Sequence, residues 1–448
     1  MSDHPVIRYI PASTWEFIQP HFTSYGTQKL RDLIDFIETE CLPAEHLYEA
    51  QIRKEPSERW KNIPPIMEEL KAKAKKRGLW NLWMSRRHYP EGQPLSNLEY
   101  AVMAELLGRV FTTGPQACNS SAPDTGNMEV FAKYGTAAQK EQYLKPLMDG
   151  KIRSSFAMTE KGVASSDATN INLTIRKEGN EIVINGHKWW ISGSGDPRNG
   201  VHLVMGKSDA TNPNVHKQQS IVIVPANHPN IKLIRPMTVF GYDDAPEGHF
   251  EIIYDNVRVP ESNLIAGWGR GFEVIQGRLG PGRIHHCMRT IGLATRALDL
   301  MIARVSDPNR RTFGKMLKEH GTIVQNIAQS RIDIDQARLL VLAAAHKIDT
   351  SDAKGAMRDI GLAKVQIPNM ALRVIDRAIQ AFGAEGLSQD TPLAYFYTHA
   401  RTIRFADGPD EVHLQQIGKA ELKRADGVRA ELEKTAQKSK ALMQRNKL

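Results

Sequence analysis

The hydrophobic period of this chain changes twice, and that limits the folds open to it. From about residue 27 to 150 apolar residues recur at helical spacing: Leu30, Leu33, Ile34 and Ile37 fall at i, i+3, i+4 and i+7, and Leu98, Val102 and Leu106 repeat the single face. Between about 155 and 262 the period drops to two, in Ile182/Ile184, Val201/Leu203/Met205, Ile221/Ile223 and Phe250/Ile252/Tyr254. After Gly267-Trp268-Gly269-Arg270-Gly271 the helical pattern returns and continues to the end, through Ile291/Leu298/Ile302, Leu339/Leu340/Ala343 and Leu372/Ile375/Ile379. The expected fold is therefore mainly α with a central β domain. Its expected units are an N-terminal helical domain over 1–154, a compact antiparallel β domain over 155–272 and a C-terminal helical domain over 273–448. Asn185-Gly186 predicts a hairpin turn in the β unit. Strands do not alternate with helices and no Gly-x-Gly-x-x-Gly links a strand to a helix, which argues against a doubly wound nucleotide-binding sheet.

Composition narrows the function classes. No apolar run approaches the eighteen or so residues of a membrane span, so no membrane role is expected. The net charge of +9, the run Lys71 to Arg77 and the basic tail raise nucleic acid as a partner. In both places, however, basic residues alternate with acidic ones, as in Asp426/Arg429 and Glu431/Lys434, which is the pattern of a solvated helix face and predicts no nucleic acid. Cys41, Cys118 and Cys287 are odd in number and far apart, so free thiols in a reducing compartment are expected rather than a zinc site. The first residues carry neither an apolar signal core nor an Arg-rich presequence. Asn446-Lys447-Leu448 differs from the Ser-Lys-Leu address in one residue, which leaves peroxisomal and cytoplasmic locations both open.

Three stretches can carry chemistry. Arg401 to His413 places Asp407 in an Ala-Asp-Gly-Pro turn after a helical pattern; taken alone it reads as an ordinary helix stop, and it becomes a way of aiming a catalytic base only if the rest of the chain supplies a partner for the carboxylate. Phe156 to Asp167 runs from an apolar strand into small hydroxyl residues, which suits a flat ring followed by a phosphate or a plain edge strand with a serine-rich turn. In Lys188-Trp189-Trp190-Ile191-Ser192-Gly193 one Trp can lie against a planar cofactor or simply be buried beside a structural serine. Trp80 and Trp83, at i,i+3 spacing, read as core rather than as a substrate tunnel.

The order of motifs resembles the flavin-dependent acyl-CoA dehydrogenases over nearly the whole chain, which implies that family's fold, an N-terminal helical domain, an antiparallel β-barrel domain and a C-terminal helical bundle. Tyr134-Gly135-Thr136, Gln139-Lys140, Tyr143-Leu144 and Gly150 look like the family's lead-in to its β domain, and Asn256-Val257-Arg258-Val259-Pro260 with Gly267-x-Gly-x-Gly-Phe272 like its exit. Met158-Thr159-Glu160 with Ser165-Ser166-Asp167, and Trp190-Ile191-Ser192, resemble the two flavin motifs. Arg310 to Gly314 and Gln380 to Gly386 are similar to the two C-terminal FAD segments. The resemblance implies that Phe156, Met158 and Thr159 border the flavin ring, that Ser165 and Ser166 lie near the pyrophosphate, and that Trp190 and Ser192 cover the ring near N5. Arg310, Phe313, Gln380, Gly383 and Ala384 would hold the adenine end from a neighbouring subunit, making a homodimer or homotetramer. Asp407 falls on the family's catalytic Glu, with Gly408 beside it at the substrate and Arg283 on an arginine of the substrate pocket. Arg278, His285 and His286 join Arg283 as a candidate cluster near the acyl head; for the two histidines, salt links to local acids at a helix start are the alternative.

The implied chemistry is α,β-dehydrogenation of an acyl-CoA, long or branched, to trans-2-enoyl-CoA. Asp407 takes the α-proton while the β-hydrogen leaves as hydride to flavin N5, and electrons pass on to electron-transferring flavoprotein or O2. Departures from the common pattern are Asp for Glu at the base, Pro409 for Thr, Lys161 within Glu-Pro-Gly, and Gly321 where many members place a Gln on FAD. Gly277 to His286 and the Asp407 segment look most like family members ten and eleven, which carry an additional kinase-like domain; 448 residues are too few to contain one. Two other readings remain open: a flavin oxidase of the same fold acting on an acyl-CoA or a nitroalkane, and a catalytically quiet DNA-binding member.

Overall fold

Each periodic stretch forms the element its period requires. The computed structural model describes residues 4–52 and 54–446. In the N-terminal part, α1 (Ser24–Phe36) buries Leu30, Leu33 and Ile34 in a core shared with α2 (Pro65–Lys76), α3 (Asn97–Arg109) and α4 (Asp124–Tyr134). Glu99 joins two helix starts. Its Oε2 accepts the Ser96 N–H at 2.7 Å to complete the capping box of α3, and its Oε1 accepts the N–H and hydroxyl of Thr23, the N-cap of α1. Trp83 is buried and donates to the Asn119 carbonyl, and Trp80 to that of Met148, so both belong to the core.

The β unit comprises β1 (Arg153–Ala157), β2 (Thr174–Glu178), β3 (Glu181–Ser192), β4 (Asn199–Lys207), β5 (Gln219–Pro225), β6 (Ile231–Met237), β7 (His249–Pro260) and β8 (Leu264–Ile265). The order is β6-β7-β3-β2-β4-β5-β8, with β1 added on β4. Most pairings are antiparallel, but β1 and β2 both run parallel to β4, so the sheet is mixed where an antiparallel one was expected. β1 arrives from the helical domain and leaves by a long loop, so no tight turn forces it antiparallel. β4 and β5 are buried on both faces. Val201, Leu203, Met205, Ile221 and Ile223 join the helical core, whereas Val204, Val222 and Val224 fill the sheet's own core.

The hairpin expectation at Asn185-Gly186 fails. The β2–β3 turn lies at Gly179-Asn180, and Asn185-Gly186 sit inside β3 at a register shift. A Cβ on Gly186 would lie 2.7 Å from Leu173, so this glycine admits a side chain from the loop crossing the strand rather than turning the chain.

The C-terminal part is built on α5 (Gly271–Ser306), 36 residues long, against which α3, α6 (Gly321–Thr350) and α7 (Met357–Phe382) pack. α8 (Leu393–Ile403), α9 (Asp410–Leu422) and α10 (Ala425–Arg445) follow, and no described residue of α10 is buried. The basic run is spent on local ion pairs, Lys71 with Glu68, Lys73 with Glu40 and Arg77 with Asp35, and Arg429 pairs with Asp426 in α10. All three cysteines are free and buried. Among the described residues no helix is long and apolar enough to cross a membrane. Lys447 and Leu448 of the Asn-Lys-Leu tail lie outside the described residues.

Candidate active site

The Asp407 turn is held by its backbone. After α8 ends at Ile403, the Gly408 N–H donates to Phe405 O and the Asp410 N–H to Arg404 O, each at 3.2 Å. Asp407 adopts φ 58° and Gly408 φ 109°, and Pro409 caps α9. A Cβ at 408 would stand 2.9 Å from His413 Nε2, so space and conformation both require glycine. From α7, the buried Lys364 donates to the carbonyls of Ile403 and Gly408, the latter at 3.2 Å. Arg404 and Asn369 bind Asp410 Oδ2 at 2.7 and 2.9 Å.

Arg283 Nε donates to the backbone carbonyl of Asp407 at 2.8 Å, so it fixes the turn and leaves the carboxylate free. The carboxylate, 17% exposed, has Arg278 Nη1 at 3.8 Å from Oδ1 and His286 Nε2 at 3.5 Å from Oδ2. Burial alone would raise its pKa, but the groups around it, His286 when protonated and the positive charges of Arg278, Arg283 and Lys364, hold it below the ordinary carboxylate value. Burial first, and then Arg289, depress His286 itself to about 4, so near neutrality the arginines and Lys364 supply that charge. His285 points the other way, buried with its ring centroid 4.9 Å from that of Tyr100. Adjacent positions on a helix face directions about 100° apart, so the two histidines separate: His286 meets an acid, the base itself, and His285 enters the core.

Arg278 connects this turn to the candidate flavin wall. Its guanidinium lies 4.2 Å from the Phe156 ring centroid, and its Nε is 3.3 Å from Asn127 Oδ1. Phe156, Met158, Thr159, Trp190 and Ser192 are half-buried, while Ala157, Glu160, Lys188 and Ile191 between them are buried, so β1 and β3 present one partly open apolar wall with polar edges. A register shift between Lys188 and Ile191 accompanies φ 56° at Trp190. Ser192 Oγ and His249 Nδ1 lie 2.8 Å apart. Lys188 Nζ donates to Met158 O at 2.7 Å and to Glu160 Oε1 at 2.8 Å, anchoring the strand end. Such a wall fits one face of a planar heteroaromatic ring. Ser165 spends its hydroxyl on the Glu160 backbone, and Ser166 is exposed.

Arg310, Phe313, Gln380, Gly383 and Ala384 are all exposed, Phe313 at 94%. Arg310 nevertheless lies beside the end of the Gln380–Ala384 segment, because Glu385 pairs with Arg304 at 2.7 Å and approaches Arg310 Nη2 at 3.6 Å. Gly321 is exposed with open space around its Cβ position. Sequence reading overlooked Lys364. Its signal was a lysine on the apolar stripe Ile360, Ala363, Ile367 and Ala371, where a buried charge needs a purpose.

The sequence matches the family descriptions "Acyl-CoA dehydrogenase, N-terminal domain" over 28–151, "middle domain" over 155–257 and "C-terminal domain" over 269–422. It is 53% identical to the Mycobacterium tuberculosis protein named Probable acyl-CoA dehydrogenase FadE2, over 81% of this chain and 86% of that one. It is 52% identical to mouse acyl-CoA dehydrogenase family member 10, over 91% of this chain and 38% of that one. The chain spans half or less of the length of several such longer relatives. A solved Mycobacterium abscessus chain assigned to the acyl-CoA dehydrogenases superposes with a TM-score of 0.85 at 45% identity, covering 90% of this chain and 99% of that one. The Megasphaera elsdenii butyryl-CoA dehydrogenase, 24% identical and with a TM-score of 0.74, covers 90% of this chain and 99% of its own and shares the fold. With three family domains in order and a relative matched along most of both lengths, this chain is a member of the acyl-CoA dehydrogenase family, oxidoreductases that use FAD.

Proposed function

We propose that this chain oxidises an acyl-CoA, long or branched, to the trans-2-enoyl-CoA with Asp407 as the α-proton base. One observation carries the reading: a carboxylate kept ionised by arginines stands on a backbone-clamped turn that Arg278 joins to Phe156 of the ring wall. Bound FAD supplies the two-electron acceptor. The residues of the chain orient and move the proton: Phe156, Met158, Thr159, Trp190 and Ser192 hold the ring, and the Asp407 N–H and Gly408 border the thioester carbonyl. Asp reaches one methylene less far than Glu. With Arg283 on the backbone carbonyl, the thioester must therefore approach the turn, since the turn itself is fixed.

The test is anaerobic flavin reduction with butyryl-, octanoyl-, palmitoyl- and isobutyryl-CoA. Asp407→Asn is expected to slow the best of them by roughly 10²–10⁴-fold; reduction at the parent rate would remove Asp407 as base. Chain preference emerges from the same panel. The Asp base also suits a flavin oxidase acting on an acyl-CoA or a nitroalkane, which predicts peroxide release in air without an added acceptor. If peroxide is absent, electron-transferring flavoprotein is the expected acceptor. Peroxisomal import through Asn446-Lys447-Leu448 is proposed as well, and a fluorescent protein carrying this tail that stays diffuse in the cytosol would dismiss it.

A further inference from the structure

The chemistry above leaves one half-buried titratable group at the base without a task. His286 lies three residues after Arg283 on α5, with Nε2 3.5 Å from Asp407 Oδ2. Its Nδ1 lies 3.3 Å from Arg289 Nη2, and Arg289 Nη1 donates to Ser120 O at 3.1 Å. A guanidinium has only donors and stays protonated. Nδ1 must then be the lone-pair nitrogen, and the ring proton sits on Nε2, facing the carboxylate. We propose that His286 is the positioning residue of the base: Arg289 locks it in the Nε2–H tautomer, and that N–H orients the Asp407 carboxylate and keeps it ionised. The proposal rests on the reading of Asp407 as base.

Other groups facing the pair are Arg278, Arg283 and Cys287 from α5, Lys364 from α7, His399 from α8, and Asp410 and His413 from α9. Burial pushes His399 and His413 down, His413 to about 4, so neither adds a proton near neutrality. A separation of 3.5 Å exceeds a formed hydrogen bond. Rotation of the short Asp side chain closes it, and contacts of this kind tighten when substrate enters. With Oδ2 held by Nε2–H, Oδ1, which has Arg278 Nη1 3.8 Å away and no formed hydrogen bond to it, is left for the α-proton. His286 cannot receive that proton afterwards, because Nε2 is already protonated and Nδ1 is capped. Asp407 becomes the neutral acid and the imidazole is unchanged.

The test compares His286→Leu and His286→Gln in the FAD-loaded full chain. The first readout is the protonation midpoint of Asp407, followed through the infrared carbonyl band that Asp407→Asn abolishes. The second is the pH profile of anaerobic flavin reduction by the fastest of the four acyl-CoAs. His286→Leu is expected to raise the midpoint and the acid limb by roughly one pH unit and to slow the plateau by about tenfold to a hundredfold. His286→Gln, which keeps an N–H near the Nε2 position, should recover most of both. An unchanged midpoint and plateau in His286→Leu, or a Gln variant no better than Leu, would reduce His286 to packing. If instead Asp407→Asn keeps the parent rate, the base reading fails, while the infrared midpoint still decides whether His286 contacts the carboxylate.

Discussion

At the scale of single residues, two conditions meet at the Asp407 turn: a left-handed backbone and a carboxylate surrounded by cations. Gly408→Ala would place a Cβ 2.9 Å from His413 Nε2 at φ 109°. We expect a loss of roughly 1–3 kcal/mol in urea unfolding and slower flavin reduction, because the strain falls beside the base. The acid behaviour follows from the sign of the Asp407 shift. Its folded pKa lies below the unfolded value, so its contribution to stability is complete above about pH 4 and is lost as pH falls through the folded pKa. Flavin reduction should accordingly show no acid limb from Asp407 between about pH 5 and 8; a limb near 6.5 with the fold intact by circular dichroism would contradict this. The sequence singles out Asp407 as the candidate base only through its order relative to the flavin motifs, which is what the resemblance implies. Arg278, Arg283 and His286 are named beside it in the same way, but Lys364 and the turning of His285 into the core are not, because no local pattern announces which neighbour an imidazole or ammonium will meet.

At the scale of elements, the ring wall depends on one buried ion pair. Lys188 is fully buried and binds both Glu160 and the Met158 carbonyl, while Glu160 also accepts the N–H groups of Asn172 and Leu173. Lys188→Met removes one partner and strands the other, so it should cost roughly 3–5 kcal/mol in unfolding and also loosen FAD, measured as flavin lost on dialysis. Wild-type stability with retained FAD would refute this anchor. The same loop explains why no hairpin forms at Asn185-Gly186. The dipeptide is a good turn signal, but Leu173, arriving from the Glu160 loop, needs the space a side chain at 186 would fill. Periodicity found β3 and could not find the loop lying across it. The parallel entry of β1 was hidden for a similar reason, since alternation reports which face a residue uses and is silent on strand direction.

At the scale of the whole molecule, the chain divides its candidate site unevenly. The candidate base and ring wall are partly buried, whereas Phe313, Gln380, Gly383 and Ala384 are exposed. The three-part architecture was legible because each part changes the hydrophobic period. Only the resemblance assigns a use to the outward patch, since an exposed Phe on its own is an ordinary surface residue. If a second copy reads that patch as proposed, Phe313→Ser should release flavin without lowering the stability of the folded chain, as followed by flavin fluorescence and thermal melting. The exposed patch also has a genetic consequence. Asp407→Asn and Phe313→Ser would each be inactive for a different reason, one lacking its own base and the other unable to complete its neighbour's cofactor pocket. Co-assembled in equal amounts as dimers, the two broken alleles should restore about a quarter of the parent sites, because one half-site in each mixed pair inherits both intact parts.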